Sequence, residues 1–332
     1  MLVTPSLPSC WETNQANHQP VLPPARIVRY LAECLGELHQ FEPLVSPLLT
    51  TRVPGTVNNT AARQYIVDHL TKLGWQVELD TFQQDTVIGE VVFNNIIATR
   101  NRNSPRRLVL AAHYDTKMRP EGFIGATDSA VPCGMLLHLA TTMDSLLPPT
   151  NTDPELTLQL VFFDGEEAFR SWTSTDSLYG SRHLADTWAT SSYTVPSNSP
   201  YCQDGEASQL DRMDAFILLD LLGAQAPAFK RYTQFNTTLY DFAAEAESTL
   251  SSLGITSPSS ASVFTNADTA WMVSDDQVPF YNQGTRNILH LIASPFPRVW
   301  HTLEDNLGAL DFDTIKYLNK LMRVIVYSYM GF

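Results

Sequence analysis

Three short apolar runs, each followed at once by a histidine or a carboxylate, constrain the fold of this 332-residue chain more than any other feature. The runs, each with the polar residue that ends it, are 108–112 with His113, 158–163 with Asp164, and 216–219 with Asp220. Runs of this length and composition are typical of strands that are buried in a sheet. In an open α/β sheet, ligands bind at the ends of such strands. The pattern therefore predicts a buried sheet with a functional site at one edge.

Predicted helices alternate with the predicted strands along the chain. The clearest of them cover residues 61–73, 129–147 and 239–253. Strands that alternate with helices favour an α/β sheet covered by helices on both faces. No internal repeat and no long linker divides the chain, so we expect one domain over residues 25–332. A polar, proline-studded tail over residues 1–24 is expected to precede it.

Charge and apolar content exclude several classes of function. The net charge of −14 disfavours general binding to nucleic acid, which requires clustered lysine and arginine. No stretch approaches 18 consecutive apolar residues, so the sequence predicts no membrane span. The first ten residues lack the basic and apolar regions of a secretory signal. The four cysteines are too far apart for a cysteine-based zinc site, and they do not imply a disulfide framework in a chain of this length.

The adjacent carboxylates of Glu166 and Glu167 are the first candidates for chemistry. They follow a strand that is predicted to be buried, where unpaired charges are costly. Their proximity is explained if one carboxylate binds a cation and the other transfers protons. Taken alone, the pair is equally compatible with a solvated turn.

Asp128 and His301 extend this candidate site. Asp128 begins a predicted helix after a turn at residues 125–127, and His301 follows Trp300 after a proline-rich segment. Histidine and carboxylate side chains are the ligands of catalytic zinc sites, which keep one coordination position open. Taken alone, Asp128 is equally compatible with a helix N-cap. A lone histidine at a strand end, such as His113, is more often a structural histidine than a ligand. The order of histidines and carboxylates along the whole chain favours the zinc site.

Longer segments of the sequence resemble the animal-type glutaminyl cyclases. The segments that carry the resemblance are 112–115, 125–133, 164–169, 176–185 and 294–302. Together they extend the resemblance over roughly residues 25–330. These enzymes share their fold with zinc aminopeptidases. The resemblance therefore implies a single-domain α/β fold, with a central mixed, mostly parallel β-sheet flanked by helices on both faces.

The resemblance also implies how the candidate residues divide the metal binding and the proton transfer. It implies one zinc ion per chain. The ligands that it implies for this ion are Asp128, Glu167 and His301. Glu166 then acts as the general acid/base, for which a raised pKa would suit both proton transfers.

Further residues are implied to surround the substrate. Asp220 is expected to form a hydrogen-bond network with Asp275, for which the neighbouring Asp276 is the alternative. The residues implied to form the substrate pocket are Trp172, Phe296 and Trp300, with His290 behind them.

The reaction implied by the resemblance is that of a glutaminyl-peptide cyclotransferase, a zinc-dependent acyltransferase. Such an enzyme converts the N-terminal glutamine of peptides, and more slowly glutamate, to pyroglutamate, and it releases ammonia from glutamine. Zinc is expected to polarise the γ-carbonyl group. The expected partners are peptides or proteins with N-terminal glutamine, and the enzyme is expected to be a monomer in the secretory pathway or secreted.

Two other functions are compatible with parts of the pattern. A zinc aminopeptidase would use the same ligand order, with His113 and Asp220 completing a second metal site bridged by Asp128. A binding protein on a decayed enzyme scaffold is less compatible, because no acid, base or ligand position has been lost. The chain also departs from many cyclases at Ala112, where they carry a cysteine bonded to the residue that matches Cys133.

Overall fold

The strands form one large sheet and two small ones in the computed structural model, which describes residues 10–35 and 40–332. In chain order the strands of this part are β1 (Gln76–Thr86), β2 (Gly89–Thr99), β3 (Arg106–His113), β4 (Leu156–Phe163), β5 (Ser192–Tyr193), β6 (Ala207–Ser208), β7 (Met213–Asp220), β8 (Phe229–Tyr232), β9 (Phe264–Thr269) and β10 (Ile288–Ile292). The large sheet has the order β1-β2-β4-β3-β7-β10, while β5 pairs with β6 and β8 pairs with β9.

The middle of the large sheet is parallel. Strands β4, β3, β7 and β10 run parallel to one another, and β2 is antiparallel to both β1 and β4. The register pairs Ala112 with Phe162 across β3 and β4, and Leu110 with Ile217 across β3 and β7. Every residue of β3, β4 and β7 is buried, as the apolar runs predict. The carboxyl ends of these three strands therefore meet at one edge of the sheet.

Helices cover both faces of this sheet, which confirms the predicted fold class. In chain order the helices of the described residues are α1 (Trp11–Ala16), α2 (Ala25–Arg29), α3 (Glu42–Val45), α4 (Val57–Lys72), α5 (Val131–Thr142), α6 (Tyr179–Thr190), α7 (Thr237–Ser252), α8 (Gln277–Asn282) and α9 (Phe312–Met330). Leu110 of β3 packs into the apolar cluster with α4, α5, α7 and α9, whereas Val109 packs into the cluster with α6 and α8. Successive side chains of a strand point to opposite faces, so the sheet has an apolar core on each face. Among the described residues, no helix combines the length and the apolar character that crossing a membrane requires.

The N-terminal segment packs against the rest of the protein in the part that the structure describes. Residues 1–9 of the expected tail lie outside this part, but the chain then forms α1 where an irregular tail was expected. Trp11 is fully buried, and Cys10 forms a disulfide with Cys202. The polar composition of this segment did not predict the packing. The packing depends on one tryptophan and on a cysteine 192 residues away. The domain boundary at residue 25 stays a prediction.

Helix α4 begins at Val57, before the predicted start at residue 61, because Thr56 caps it. The Thr56 side chain accepts a hydrogen bond from the backbone N of Asn59 (3.3 Å). The side chain of Asn59 instead donates to Oδ1 of Asp164 (2.9 Å), directly after β4. This contact ties α4 to the edge of the sheet where the candidate residues lie.

Candidate active site

One carboxylate links the ends of β3 and β4. Oδ1 of Asp115, just after β3, accepts a hydrogen bond from the backbone N of Glu166 (3.0 Å), and Oδ2 accepts one from that of Glu167 (3.2 Å). Asp115 is fully buried. Gly165 turns the chain away from β4 with φ +73°, and a Cβ at this position would overlap the ring of Phe93. The two glutamates are thus fixed through their backbone, and both side chains face one cavity.

Asp128 is presented by a turn that a buried arginine holds. The turn, Ala126–Ala130, directly precedes α5. Arg52 is fully buried, and its guanidinium donates to backbone carbonyls that include those of Ile124 (2.8 Å) and Gly125 (3.4 Å). Gly125 has φ +57°, and a Cβ here would overlap the backbone carbonyl of Asp128. The position of Asp128 therefore depends on a glycine and on a cation that lies behind it.

A second carboxylate, that of Asp305, holds the same turn. Oδ1 of Asp305 accepts a hydrogen bond from the backbone N of Thr127 (2.8 Å), and its backbone carbonyl accepts one from Ala126 (3.1 Å). Oδ2 is buried and has no hydrogen-bond partner among the described residues. Burial raises the pKa of Asp305 to about 7, despite the hydrogen bond from Thr127. Because Asp305 follows His301 by four residues, it links the segment of His301 to the turn of Asp128.

His301 reaches two carboxylates from the segment between β10 and α9. Its Nε2 atom lies 3.1 Å from Oε1 of Glu167 and 3.4 Å from Oδ2 of Asp128. Its ring stacks on that of Trp300, with the centroids 4.0 Å apart. Burial alone would lower the pKa of His301, but the contacts with Asp128 and Glu167 outweigh it and raise this pKa to about 9. The two carboxylates thus favour a positive charge at this point.

Asp128, Glu167 and His301 form a group that can hold a metal ion. One ligand atom of each lies within 4.8 Å of the others. Oε1 of Glu167 is buried and has no hydrogen-bond partner in the described part of the chain, whereas Oε2 accepts from Nζ of Lys117 (3.3 Å). One imidazole and two carboxylates suit Zn²⁺, and three protein ligands leave a position for water or substrate. The residues therefore fit the zinc ion that the sequence predicts.

A second group of possible ligands shares Asp128. Nε2 of His113 lies 3.1 Å from Oδ1 of Asp128 and 3.4 Å from Oδ1 of Asp220. However, Oδ1 of Asp220 already accepts hydrogen bonds from Oγ of Ser129 and from the backbone N of Leu221 (2.8 Å). This is the group that a two-metal aminopeptidase would need, but hydrogen bonds within the protein occupy one of its ligand atoms.

The first metal-binding group opens into a cavity of about 200 Å³. The predicted site residues that line it are Asp128, Glu166, Glu167, Trp172, Asp220, Asp275, Phe296, Trp300 and His301. The rings of Phe296 and Trp300 meet edge to face, with centroids 4.9 Å apart, and form one wall. The arrangement places acidic groups and a candidate metal-binding group in a small cavity with aromatic side chains in its wall.

Four lining residues were not predicted from the sequence: Leu221, Val273, Ser274 and Ile292. Leu221 directly follows β7 and Ile292 ends β10, so the rule that sites form at strand ends was sufficient to find them. Val273 and Ser274 lie in a loop without a pattern, and their closeness to Asp275 in the sequence was the only signal.

Asp275, rather than its neighbour Asp276, lines the cavity. Oδ2 of Asp275 lies 2.7 Å from Nε2 of His290, and Oδ1 accepts a hydrogen bond from the backbone N of Asp276 (2.6 Å). His290 is buried on β10, behind Asp275, and its ring stacks on that of Tyr232. Asp276 is fully buried beside Ser181 of α6. The structure thus places His290 against Asp275, outside the lining of the cavity.

Burial changes the acidity of the carboxyl groups in the cavity. It raises the pKa of Glu166 well above its ordinary value, and the charges of Glu167 and Asp275 raise it further, against the opposing effect of His113. Burial, followed by the charge of Asp275, raises the pKa of Asp220 to about 6. Carboxyl groups whose pKa lies closer to neutral pH can both donate and accept protons. The site is therefore suited to acid–base chemistry.

A further buried carboxylate shapes the loop that carries Trp172. Asp176 accepts hydrogen bonds from three consecutive backbone N–H groups, those of residues 169–171, at 2.9 to 3.0 Å. It also accepts one from the hydroxyl of Tyr179 (2.9 Å). Nε1 of Trp172 donates to Oγ of Ser274 (3.3 Å), and both residues line the cavity. The tryptophan wall is thus anchored at both ends.

Comparison with known sequences shows the family of this chain. The model of peptidase family M28 matches residues 95–326. The chain is 41% identical, over 332 residues, to the glutaminyl-peptide cyclotransferase of Bos taurus, and the match covers 96% of this chain and 90% of that protein. It is 39% identical, over 298 residues, to the glutaminyl-peptide cyclotransferase of Drosophila melanogaster, with 86% of this chain and 79% of that protein covered.

Comparison with solved structures gives the same result. The glutaminyl cyclase of Macrostomum lignano matches with a TM-score of 0.82 at 36% identity, and the match covers 98% of both chains. A zinc-dependent exopeptidase of Parabacteroides distasonis shares the fold, with a TM-score of 0.67 at 20% identity over 88% of this chain and 98% of that one. The chain belongs to peptidase family M28 and, within it, to the glutaminyl-peptide cyclotransferases.

Proposed function

We propose that this enzyme cyclises the N-terminal glutamine of peptides to pyroglutamate with release of ammonia, and that it accepts N-terminal glutamate more slowly. The observation that carries the proposal is the position of Glu166. Its carboxyl group lines a cavity of about 200 Å³, next to the metal-binding group and between aromatic walls. In the reaction the α-amine nitrogen bonds to the γ-carbonyl carbon of the same residue, the bond from that carbon to the amide nitrogen breaks, and ammonia leaves.

One zinc ion per chain is proposed to bind at Asp128, Glu167 and His301. When bound, it would supply a Lewis acid for the γ-carbonyl oxygen of the substrate. The single-ion stoichiometry is supported by the hydrogen bonds that Ser129 and Leu221 donate to Asp220 in the other possible ligand group.

Glu166 is proposed to carry the proton. The attacking α-amine must lose a proton and the departing nitrogen must gain one, so a single group can serve both steps. Burial and the charges of Glu167 and Asp275 raise the pKa of Glu166, which makes its carboxylate a stronger base than an exposed glutamate. The backbone hydrogen bond to Asp115 fixes its position.

Asp220 and Asp275 are proposed to hold the nitrogen atoms of the substrate. Both line the cavity, and the charge of Asp275 helps to raise the pKa of Asp220 to about 6, after the larger effect of burial. Two neighbouring carboxyl groups, one of which raises the pKa of the other, can share a proton and accept hydrogen bonds from an amine. His290 holds Asp275 in place and does not contact the substrate in this proposal.

The aromatic walls are proposed to hold the glutamine folded back on itself. Trp172, Phe296 and Trp300 enclose a space that suits one side chain rather than an extended peptide. Because the attack is intramolecular, holding the reacting atoms together removes much of the barrier. The walls also exclude the water that would otherwise hydrolyse the amide.

The proposed location is the secretory pathway or the extracellular space, and the proposed state is a monomer. The disulfide between Cys10 and Cys202 supports the location, because such bonds persist in oxidising compartments.

Two measurements test the proposed function. Purified protein should release ammonia from a peptide that begins with glutamine, and should contain about one zinc ion per chain. A peptide that begins with N-acetylglutamine is the matched control, because its blocked amine cannot attack. Hydrolysis of leucine anilide by protein with two metal ions per chain, without ammonia release, would instead indicate a dinuclear aminopeptidase.

A further inference from the structure

A second cavity adjoins the catalytic one and shares a wall with it. Its volume is about 510 Å³, and Trp172 and Ser274 line both cavities. The hydrogen bond between these two side chains therefore stands at the boundary between the two spaces. The second cavity continues between the loop before α6 and the helix α8.

The catalytic cavity accommodates one residue, so the rest of a peptide substrate must leave it. With about 200 Å³ available, the glutamine side chain fills the space between the aromatic walls. The chain that follows advances by about 3.3 to 3.6 Å per residue when extended. The second cavity adjoins the catalytic one at Trp172 and Ser274, so it can receive the residues that follow the glutamine.

The second cavity has apolar surface, one guanidinium, that of Arg182, and one carboxylate, that of Asp186. Leu178, Val278 and Pro279 supply apolar surface. In the described part of the chain, Arg182 makes one hydrogen bond, from Nε to the carbonyl of Ser177 (3.1 Å), and Nη2 has no acceptor. Its guanidinium lies 5.1 Å from the centre of the Tyr179 ring.

The acidic residue on the same helix is already engaged. Asp186 lies one turn after Arg182 on α6, and its Oδ1 atom accepts a hydrogen bond from Nε2 of Gln283 (2.7 Å). Asp186 also lines the cavity, and its charge acts on Arg182. Arg182 is distinguished by Nη2, which has no acceptor among the described residues. A guanidinium nitrogen without an acceptor attracts an acidic side chain locally, against the repulsion from the net charge of −14.

We infer that the second cavity binds the residues that follow the N-terminal glutamine, and that Arg182 favours an acidic side chain there over a basic one. The inference rests on the proposed function, since it assigns a further part of the same substrate. It makes the enzyme selective among glutamine peptides, in a region that does not contact the reacting atoms.

The test compares peptides that differ by one charge. Ammonia release is measured for the amides of Gln-Glu-Ala and Gln-Lys-Ala, and for those of Gln-Ala-Glu and Gln-Ala-Lys. The wild-type enzyme should prefer the acidic member of at least one pair by about fivefold in kcat/KM, the ratio expected for a partly exposed ion pair. Arg182→Gln should bring this ratio close to one, and Arg182→Glu should reverse it.

Each ratio is measured within one protein preparation, so a partial loss of folded enzyme does not change it. Arg102→Gln removes the same charge from an exposed arginine that pairs with Glu78, and it should keep the wild-type ratio. Equal ratios in the wild-type and Arg182 variants would overturn the inference while cyclisation itself continued. Failure of the wild-type protein to cyclise glutamine amide would overturn the proposed function, and the inference with it.

Discussion

Nε2 of His290 lies 2.7 Å from Oδ2 of Asp275, and this contact distinguishes two adjacent aspartates. It fixes Asp275 at the cavity wall, while Asp276 turns away to lie beside Ser181. Burial and the charge of Asp275 raise the pKa of Asp276 well above its ordinary value. The two residues, although adjacent, are therefore expected to respond differently to substitution.

Asp275→Asn should lower kcat by about 10- to 100-fold, because it removes a charged hydrogen-bonding group from the cavity. Asp276→Asn should have a much smaller effect, since an amide closely resembles the protonated carboxyl group that burial favours there. The measurement is kcat and KM for a glutamine peptide with each variant. A larger loss for Asp276→Asn would show that the roles are exchanged.

Glu166→Gln should lower kcat by about 10²- to 10⁴-fold, the usual contribution of a positioned acid/base. Its zinc content should equal that of the wild type, because the backbone contacts with Asp115 do not involve the altered side chain. Metal analysis and ammonia release measure the two effects. Glu304→Gln, at an exposed acid near the site, is the control and should keep full activity. An active Glu166→Gln enzyme would exclude this residue as the proton carrier.

Removal of the metal should abolish activity without unfolding the protein. Asp115, Asp305 and Arg52 hold the ligand-bearing segments through hydrogen bonds of their own. After treatment with a chelator, far-ultraviolet circular dichroism should therefore be unchanged, and added zinc should restore ammonia release. The ligand variants Asp128→Ala, Glu167→Ala and His301→Ala should lack both zinc and activity. Full zinc occupancy in any of them would contradict the ligand assignment.

Asp305→Asn should make the unfolding free energy of the metal-free protein depend less on pH. The folded pKa of Asp305 is about 7, whereas an unfolded aspartate has a pKa of about 3.9. At pH values between these two, the carboxyl group keeps its proton in the folded protein but has lost it in the unfolded protein. The unfolding free energy therefore falls as pH rises through this range. The loss amounts to about 1.4 kcal/mol for each unit of the shift and is complete above the folded pKa.

The asparagine side chain cannot ionise, and its carbonyl oxygen can still accept the hydrogen bond from Thr127. Relative to wild type, the variant should therefore gain stability between pH 5 and pH 8, as measured by urea unfolding at both pH values. A stability difference that does not change with pH would show that Asp305 remains ionised in the folded protein.

Removal of the disulfide should destabilise the protein and leave catalysis unchanged. The double variant Cys10→Ser, Cys202→Ser should lose about 2–4 kcal/mol of unfolding free energy. Gln15 of α1 donates to Asp214, at the start of β7, whereas Asp220 of the site ends that strand. Since the disulfide lies at the far end of the strand, kcat and KM should stay at the wild-type values. A change in either kinetic constant would show that α1 influences the site.

The buried strands and the polar side chains at their ends were predictable because their signals are local in the sequence. An apolar run that ends at a carboxylate, as at Asp164 and at Asp220, predicts both a buried strand and the edge of the sheet where polar groups lie. The helices on both faces were predicted because strand patterns alternate with helix patterns along the sequence. Resemblance to known cyclases then supplied the proposed division of roles, which spacing alone could not give.

The supporting groups of the site were not predictable, since their partners are backbone atoms far away in the sequence. Asp305 accepts its hydrogen bond from Thr127, 178 residues before it. Arg52 donates to the carbonyl of Ile124, 72 residues after it. Any residue has a backbone N–H or carbonyl, so such contacts leave no pattern of residue types. The packing of Trp11 was missed for a similar reason, because a single aromatic residue has no periodicity.

Substitution of Gly125 is expected to inactivate the enzyme, although glycine has no reactive side chain. A methyl group there would meet the backbone carbonyl of Asp128, so even alanine would displace this proposed metal ligand. Such a variant keeps its net charge and every ionisable group, and inspection of the reactive residues alone would class it as harmless. In natural populations or in libraries of variants, loss of activity is therefore expected at glycines as well as at acids and histidines.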